Sequence, residues 1–157
     1  MILNIDDWKF DINLEETRVH SSLYSRDHCT CAYCENYYRS IDAVYPELRS
    51  FLAGFGAVIE GPVELMPFEP TLYLASYRVF GQILSFGNGP MMVGRIPVMP
   101  VYDNETRFHL EVGEIPLPWV MLEDMDEVIS PANEPEFLEK MYRRMMERNA
   151  GSLYFSS

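Results

Sequence analysis

All three cysteines of the chain, Cys29, Cys31 and Cys34, fall within "HCTCAYCEN", residues 28 to 36, with His28 beside them. Thiolate and imidazole are the ligands that tetrahedral zinc prefers, and Cys31-x-x-Cys34 has the spacing by which one short segment supplies two of them. Cys29 can add a third from the same turn. The fourth falls to His28, with His20 and His109 as the other histidines of the chain. A second Cys-x-x-Cys or Cys-x-x-His pair, which makes paired zinc motifs specific, is missing. The residues thus point to a metal site at Cys29, Cys31, Cys34 and His28, with zinc as the ion, and leave its completeness open.

Other chemistries compete for the same residues. Cys31 and Cys34 at a helix N-terminus would form a redox dithiol, because the helix dipole favours thiolate. Thioredoxin-like proteins place such a pair after a strand of a βαβ unit, whereas the strands here read as antiparallel. An iron–sulfur cluster usually takes four cysteines, and a thiol nucleophile needs a partner base for which no flanking signature exists. The plain alternative is packing. Free cysteine is among the most buried residue types, and Cys34 lies on an apolar helical face that Cys31 would share. The readings differ in geometry: metal or redox chemistry needs the sulfurs to converge, and packing lets them splay.

The segment "CTCAYCENYY" resembles the signature of a family of small, uncharacterised bacterial proteins. Its pattern is Cys-x-Cys-x-x-Cys-x-Asn-aromatic-Tyr, here Cys29, Cys31, Cys34, Asn36, Tyr37 and Tyr38, followed by "YPELRSFLAGFG" (45–56). The resemblance covers roughly residues 28 to 60, with a weaker likeness in "YLASYRVFGQIL". It implies a cytosolic bacterial origin and carries no activity with it.

The elements that must position the cluster are legible from periodicity. Residues 8 to 14 alternate, with Trp8, Phe10, Ile12 and Leu14 against Lys9, Asp11 and Asn13, which predicts a half-buried strand. "SSLYSRDH" (21–28) is polar and serine-rich and reads as a loop. Cys34, Tyr37, Ile41, Val44, Leu48, Phe51 and Phe55 then recur every three or four residues, predicting a helical segment over 32–54. Pro46 either kinks it or opens a second helix, and "GFG" (54–56) supplies a left-handed cap.

Next come a short strand in "AVIEG" (57–61), a long one in 71–86, a turn at "GNG" (87–89), and a run over 90–102. Pro97 and Pro100 mark that run as an edge or bent strand. "DNET" turns into "RFHLEVGEI" (107–115), where His109 falls opposite Phe108 and Leu110 and is expected in solvent. "SPANEPEF" carries helix-start chemistry, and an apolar stripe through Phe137, Met141 and Met145 predicts a helix over 134–150. The expected fold is α+β: one domain, residues 1–157, with an antiparallel sheet of five or so strands in a curled or sandwich-like meander. The two helical segments would pack on one side.

Composition limits the function classes. With 48% hydrophobic residues the chain can bury an ordinary core, so it needs no metal in order to fold. A formal charge of −12 disfavours phosphate backbones, so no nucleic acid is expected as a partner. The same charge suits docking to a protein with a basic surface. No apolar run matches a membrane span, the opening residues lack the pattern of a signal peptide, and three crowded cysteines make a poor disulfide framework. A cytoplasmic location is therefore expected. The reading ranked first is a non-enzymatic interaction or regulatory module with a structural zinc. A thiol- or zinc-dependent enzyme built on Cys29, Cys31 and Cys34 follows, and then an acidic immunity or inhibitor protein.

Overall fold

The computed structural model describes residues 1–26, 29–69 and 71–121. The two-residue alternation near the N-terminus folds as a hairpin of β1 (Ile2–Ile5) and β2 (Trp8–Ile12), with Ile5 opposite Trp8. Trp8, Phe10 and Ile12 are buried, and Lys9 and Asp11 are exposed. The strand stops at Ile12 rather than running to Leu14 because Asn13 starts a helix. Its side-chain oxygen accepts from the Glu16 N–H (3.1 Å), and its amide donates back to the Glu16 carboxylate (3.2 Å).

That helix, α1 (Leu14–Arg26), corrects the expected loop: residues 21–26 are helical. Its inward face is made of hydroxyls. Thr17 Oγ1 donates to Asn13 O (2.8 Å) and accepts from Phe80 N–H (2.9 Å). Ser21 Oγ accepts from Val58 N–H (2.8 Å). Gly61 lets this helix come close, since a Cβ there would lie 2.1 Å from Ser21 O. The 57–61 segment, expected as a strand, is instead a turn held by Ser21, although Ala57 and Ile59 remain buried.

The apolar 3.6-residue stripe forms two helices, α2 (Ala32–Val44) and α3 (Pro46–Ala53), with Pro46 at the first position of the second. A proline there loses no helical hydrogen bond, and the residue before it leaves the helical region. Arg49 pairs with Asp42 (2.7 Å) and Glu60, which ties both helices to the 57–61 turn. Of the glycines at the end of α3, Gly54 stays helical and Gly56 takes φ +85°.

The remaining strands are β3 (Glu64–Glu69), β4 (Leu72–Ser85), β5 (Met91–Val93), β6 (Ile96–Asn104) and β7 (Arg107–Pro116). All seven strands form one open antiparallel sheet in the order β1-β2-β4-β7-β6-β5, with β3 also on β4. The fold is thus α+β as expected, with β1 and β3 added. The meander is interrupted after β4, whose neighbour is β7 and not β5. The 87–89 bend is held over the first hairpin instead of reversing tightly. The Trp8 indole donates to Gly89 O (2.9 Å), and a Cβ on Gly87 would lie 2.3 Å from that ring nitrogen. Pro97 sits where β6 pairs with β5 and Pro100 where it pairs with β7, so each proline has a side without a paired strand.

One face of the sheet carries Phe10, Tyr73, Ala75, Tyr77, Val79, Phe108 and Val112. It packs with Tyr37, Ile41, Leu48, Leu52 and Phe55 of the helical segment. At its centre Phe10 stacks on Phe108 (centroids 5.3 Å apart) and meets Phe55 edge-on (5.2 Å). The expected helix over 134–150 lies outside the described residues.

Candidate metal centre

Cys31 caps α2 in an extended conformation (φ −64°, ψ 161°), and Cys34 lies in the helix's first turn. The chain before Cys31 therefore doubles back, and Cys29 joins from the loop after α1. The ligand atoms of Cys29, Cys31 and Cys34 all lie within 4.8 Å of one another. Three sulfurs 2.3 Å from a tetrahedral zinc stand about 3.8 Å apart, so sub-ångström shifts would seat an ion between them. Cys29 and Cys31 are exposed, and none of the three is in a disulfide. Cys34 is buried yet outside the main apolar cluster. Packing accounts for Cys34, which is buried, and does not account for the exposed Cys29 and Cys31, whose sulfurs converge with it.

The electrostatics of the loop favour negative sulfur. The Cys31 N–H points at Cys29 Sγ (3.5 Å). The Cys31 thiol is lowered from 9.0 to about 5, chiefly by a hydrogen bond from the Cys34 side chain and against the effect of burial. The backbone amides of Cys34 and Tyr33 add to this without forming a capping hydrogen bond. The Cys34 thiol is raised, because it donates to Cys31 and is itself buried. Of this pair, Cys31 is the sulfur that favours the thiolate and Cys34 the one that keeps its proton. Iodoacetamide should then alkylate Cys31 of metal-free protein at a rate nearly flat between about pH 6 and 8. A rate that climbs tenfold per pH unit over that range would mean an ordinary thiol.

Of the expected histidines, His20 and His109 do not join the sulfurs. His28 lies outside the described residues. His20 rests on the Phe80 ring (centroids 4.5 Å apart), and His109 lies 3.6 Å from Asp103 and 3.4 Å from Arg78 Nε. His109 is thus half-buried among charged partners rather than in open solvent. Among the described residues the group that could hold a metal is the three thiols, and neither His20 nor His109 belongs to it.

Two further features escape the spacing argument. Asn36, which the pattern places beside the cysteines, is fully buried and turns away from them. Its amide donates to Tyr73 Oη (3.2 Å) and Pro118 O (3.0 Å), and its oxygen accepts from Val120 N–H (2.7 Å). It clamps the chain leaving β7 onto α2. The second feature is a cavity of about 170 Å³ beside the sulfurs, lined by Tyr24, Cys29, Cys34, Tyr38, Pro62, Val63, Glu64 and Leu65. Glu64 and Leu65 belong to β3, whose Pro67 and acidic ends hid it in the sequence.

No family model matches the chain, and neither the curated proteins nor the solved structures contain a match. The site has to be read from its own chemistry. No helix among the described residues is long and apolar enough to cross a membrane.

Proposed function

We propose that this protein is a non-enzymatic zinc-binding module in which Cys29, Cys31 and Cys34 hold one zinc ion at the N-terminus of α2. The observation that carries the proposal is the convergence of three thiols within 4.8 Å, two of them exposed. Thiolate donors select zinc over magnesium or calcium, and helix-terminal amides offset the excess negative charge of three thiolates around a dication. The core closes without the cluster, so the metal's work is local. It fixes residues 29–31 against the start of α2 and presents them as a rigid surface. The formal charge of −12 supports a protein with a basic face as the partner of that surface.

Metal analysis of protein purified without chelator should return one zinc per chain. Each of Cys29→Ser, Cys31→Ser and Cys34→Ser should weaken zinc by more than the roughly 10–100-fold that loss of an outer-shell partner costs. Stripping the zinc should leave the sheet's far-UV signature intact. Absence of zinc, or single serine variants that keep it, would refute the proposal. The lowered Cys31 thiol favours a second reading, a dithiol redox protein. Zinc-free protein that cycles between a Cys31–Cys34 disulfide and the dithiol would establish that reading instead.

A further inference from the structure

We infer that the cysteine cluster is also a receptor for trivalent arsenic, taken up as its neutral hydroxide and held by the sulfurs of Cys29, Cys31 and Cys34 together. The inference shares the convergent sulfurs with the zinc reading and does not require that zinc be bound. A trivalent arsenic centre makes three bonds and keeps a lone pair where tetrahedral zinc takes a fourth donor. Three sulfurs therefore complete it, whatever further donor the chain or solvent offers to zinc. The three ligand atoms lie within 4.8 Å of one another, so one centre can bond them all. Thiolate is the soft donor that a thiophilic centre of this kind selects.

Charge points the same way. Three thiolates around a dication leave one excess negative charge, which the amides of α2 must offset. Around a trivalent centre the charges cancel. The neutral product suits a cluster in which Cys34 is only 7% exposed and in which Cys29 and Cys34 face Pro62, Val63 and Leu65 across a small cavity. The route in also favours a neutral reagent. A chain with a formal charge of −12 repels oxyanions such as arsenate, whereas arsenic trihydroxide is uncharged at neutral pH. Cys29 and Cys31 are exposed and make the first bonds, and the buried Cys34 closes the shell. At each sulfur an As–S bond replaces an As–O bond, and the thiol proton leaves with the hydroxide as water. Three waters are released, arsenic stays trivalent, and no electron changes hands.

The experiment titrates the full, reduced, zinc-free chain with sodium arsenite under anaerobic conditions and reads the intact mass. One equivalent should add one arsenic and remove three hydrogens, and all three thiols should become inert to a thiol reagent. An adduct heavier by one water, with a single thiol still reactive, would mean two-sulfur capture and would overturn the inference. Cys29→Ser, at an exposed position, should give that heavier adduct and weaken arsenite by more than the roughly 10–100-fold cost of losing an outer-shell partner of a metal. The same variant should keep its affinity for phenylarsine oxide, whose arsenic takes two sulfurs, which shows that Cys31 and Cys34 are still in place. Equal arsenite affinity in wild type and Cys29→Ser would also overturn the inference. Arsenate should leave the mass unchanged. Protein that takes zinc but no arsenite would overturn this inference alone, and protein that takes arsenite on three sulfurs but no zinc would uphold it and overturn the zinc reading.

Discussion

Phe10→Ala should destabilise the protein by about 3–5 kcal/mol, the range for removing a buried aromatic ring. The ring is fully buried and meets three others: Trp8 (6.0 Å), Phe55 (5.2 Å) and Phe108 (5.3 Å). Those partners come from β2, the turn after α3 and β7, so one truncation loosens the junction between the first hairpin, the helical layer and the centre of the sheet. The loss is a large share of the roughly 5–15 kcal/mol typical of a domain. In urea the midpoint should fall with an unchanged slope, and the thermal midpoint should drop by roughly 6–20 °C. Phe10→Leu should cost about 1–2 kcal/mol, since it refills most of the space. A loss below about 1 kcal/mol for the alanine variant would mean that the cluster closes around the hole. Cys29→Ser, at an exposed position, should stay within about 0.5 kcal/mol of wild type in metal-free protein.

Asn36→Ala should cost about 2–4 kcal/mol, and by a different mechanism. Three hydrogen bonds disappear together, and Pro118 O and Val120 N–H lose the Asn36 side chain as a partner at a half-buried site. Tyr73 Oη keeps its bond to Tyr33 O (2.9 Å), so the damage concentrates on the chain leaving β7. Hydrogen exchange at Val120 should accelerate far more than exchange at Val79 in β4, because the opening is local. Asn36→Asp keeps an acceptor toward Val120 but sets a buried carboxylate against Pro118 O, so at neutral pH it should cost at least as much as the alanine variant. If Val120 exchanges at the wild-type rate in the alanine variant, the clamp is not what holds this segment.

How far the sequence displays this arrangement depends on the kind of contact that builds each element. Where burial is apolar the pattern is plain: Trp8, Phe10 and Ile12 alternate, Tyr37, Ile41, Leu48 and Leu52 follow a helical stripe, and Pro46 divides it. Where burial is polar the pattern vanishes. α1 docks through Thr17 and Ser21, whose hydroxyls hold Phe80 and Val58, so its inward face looks like a serine-rich loop. Asn13 with Glu16 three residues later was the available sign of its start. Strand order was hidden for another reason. The bend at 87–89 is fixed by Trp8, about eighty residues away in sequence, and local turn chemistry carries no trace of that partner. The cysteine spacing correctly marked a convergent site. The cavity beside it is assembled from four separate segments and leaves no signature in any of them.

The pairing of β2 with β4 has a consequence for synthesis. Lys9 lies opposite Ser85, so the first hairpin has no further neighbour in the sheet until the ribosome has delivered the whole of β4. At about 5–20 residues per second that wait lasts roughly 4–15 s. Until Phe55 emerges to meet Phe10, the side of the nascent hairpin bearing Trp8, Phe10 and Ile12 faces water. Lys9 and Asp11, alternating with them, are the charges that discourage a neighbouring nascent chain from pairing there first.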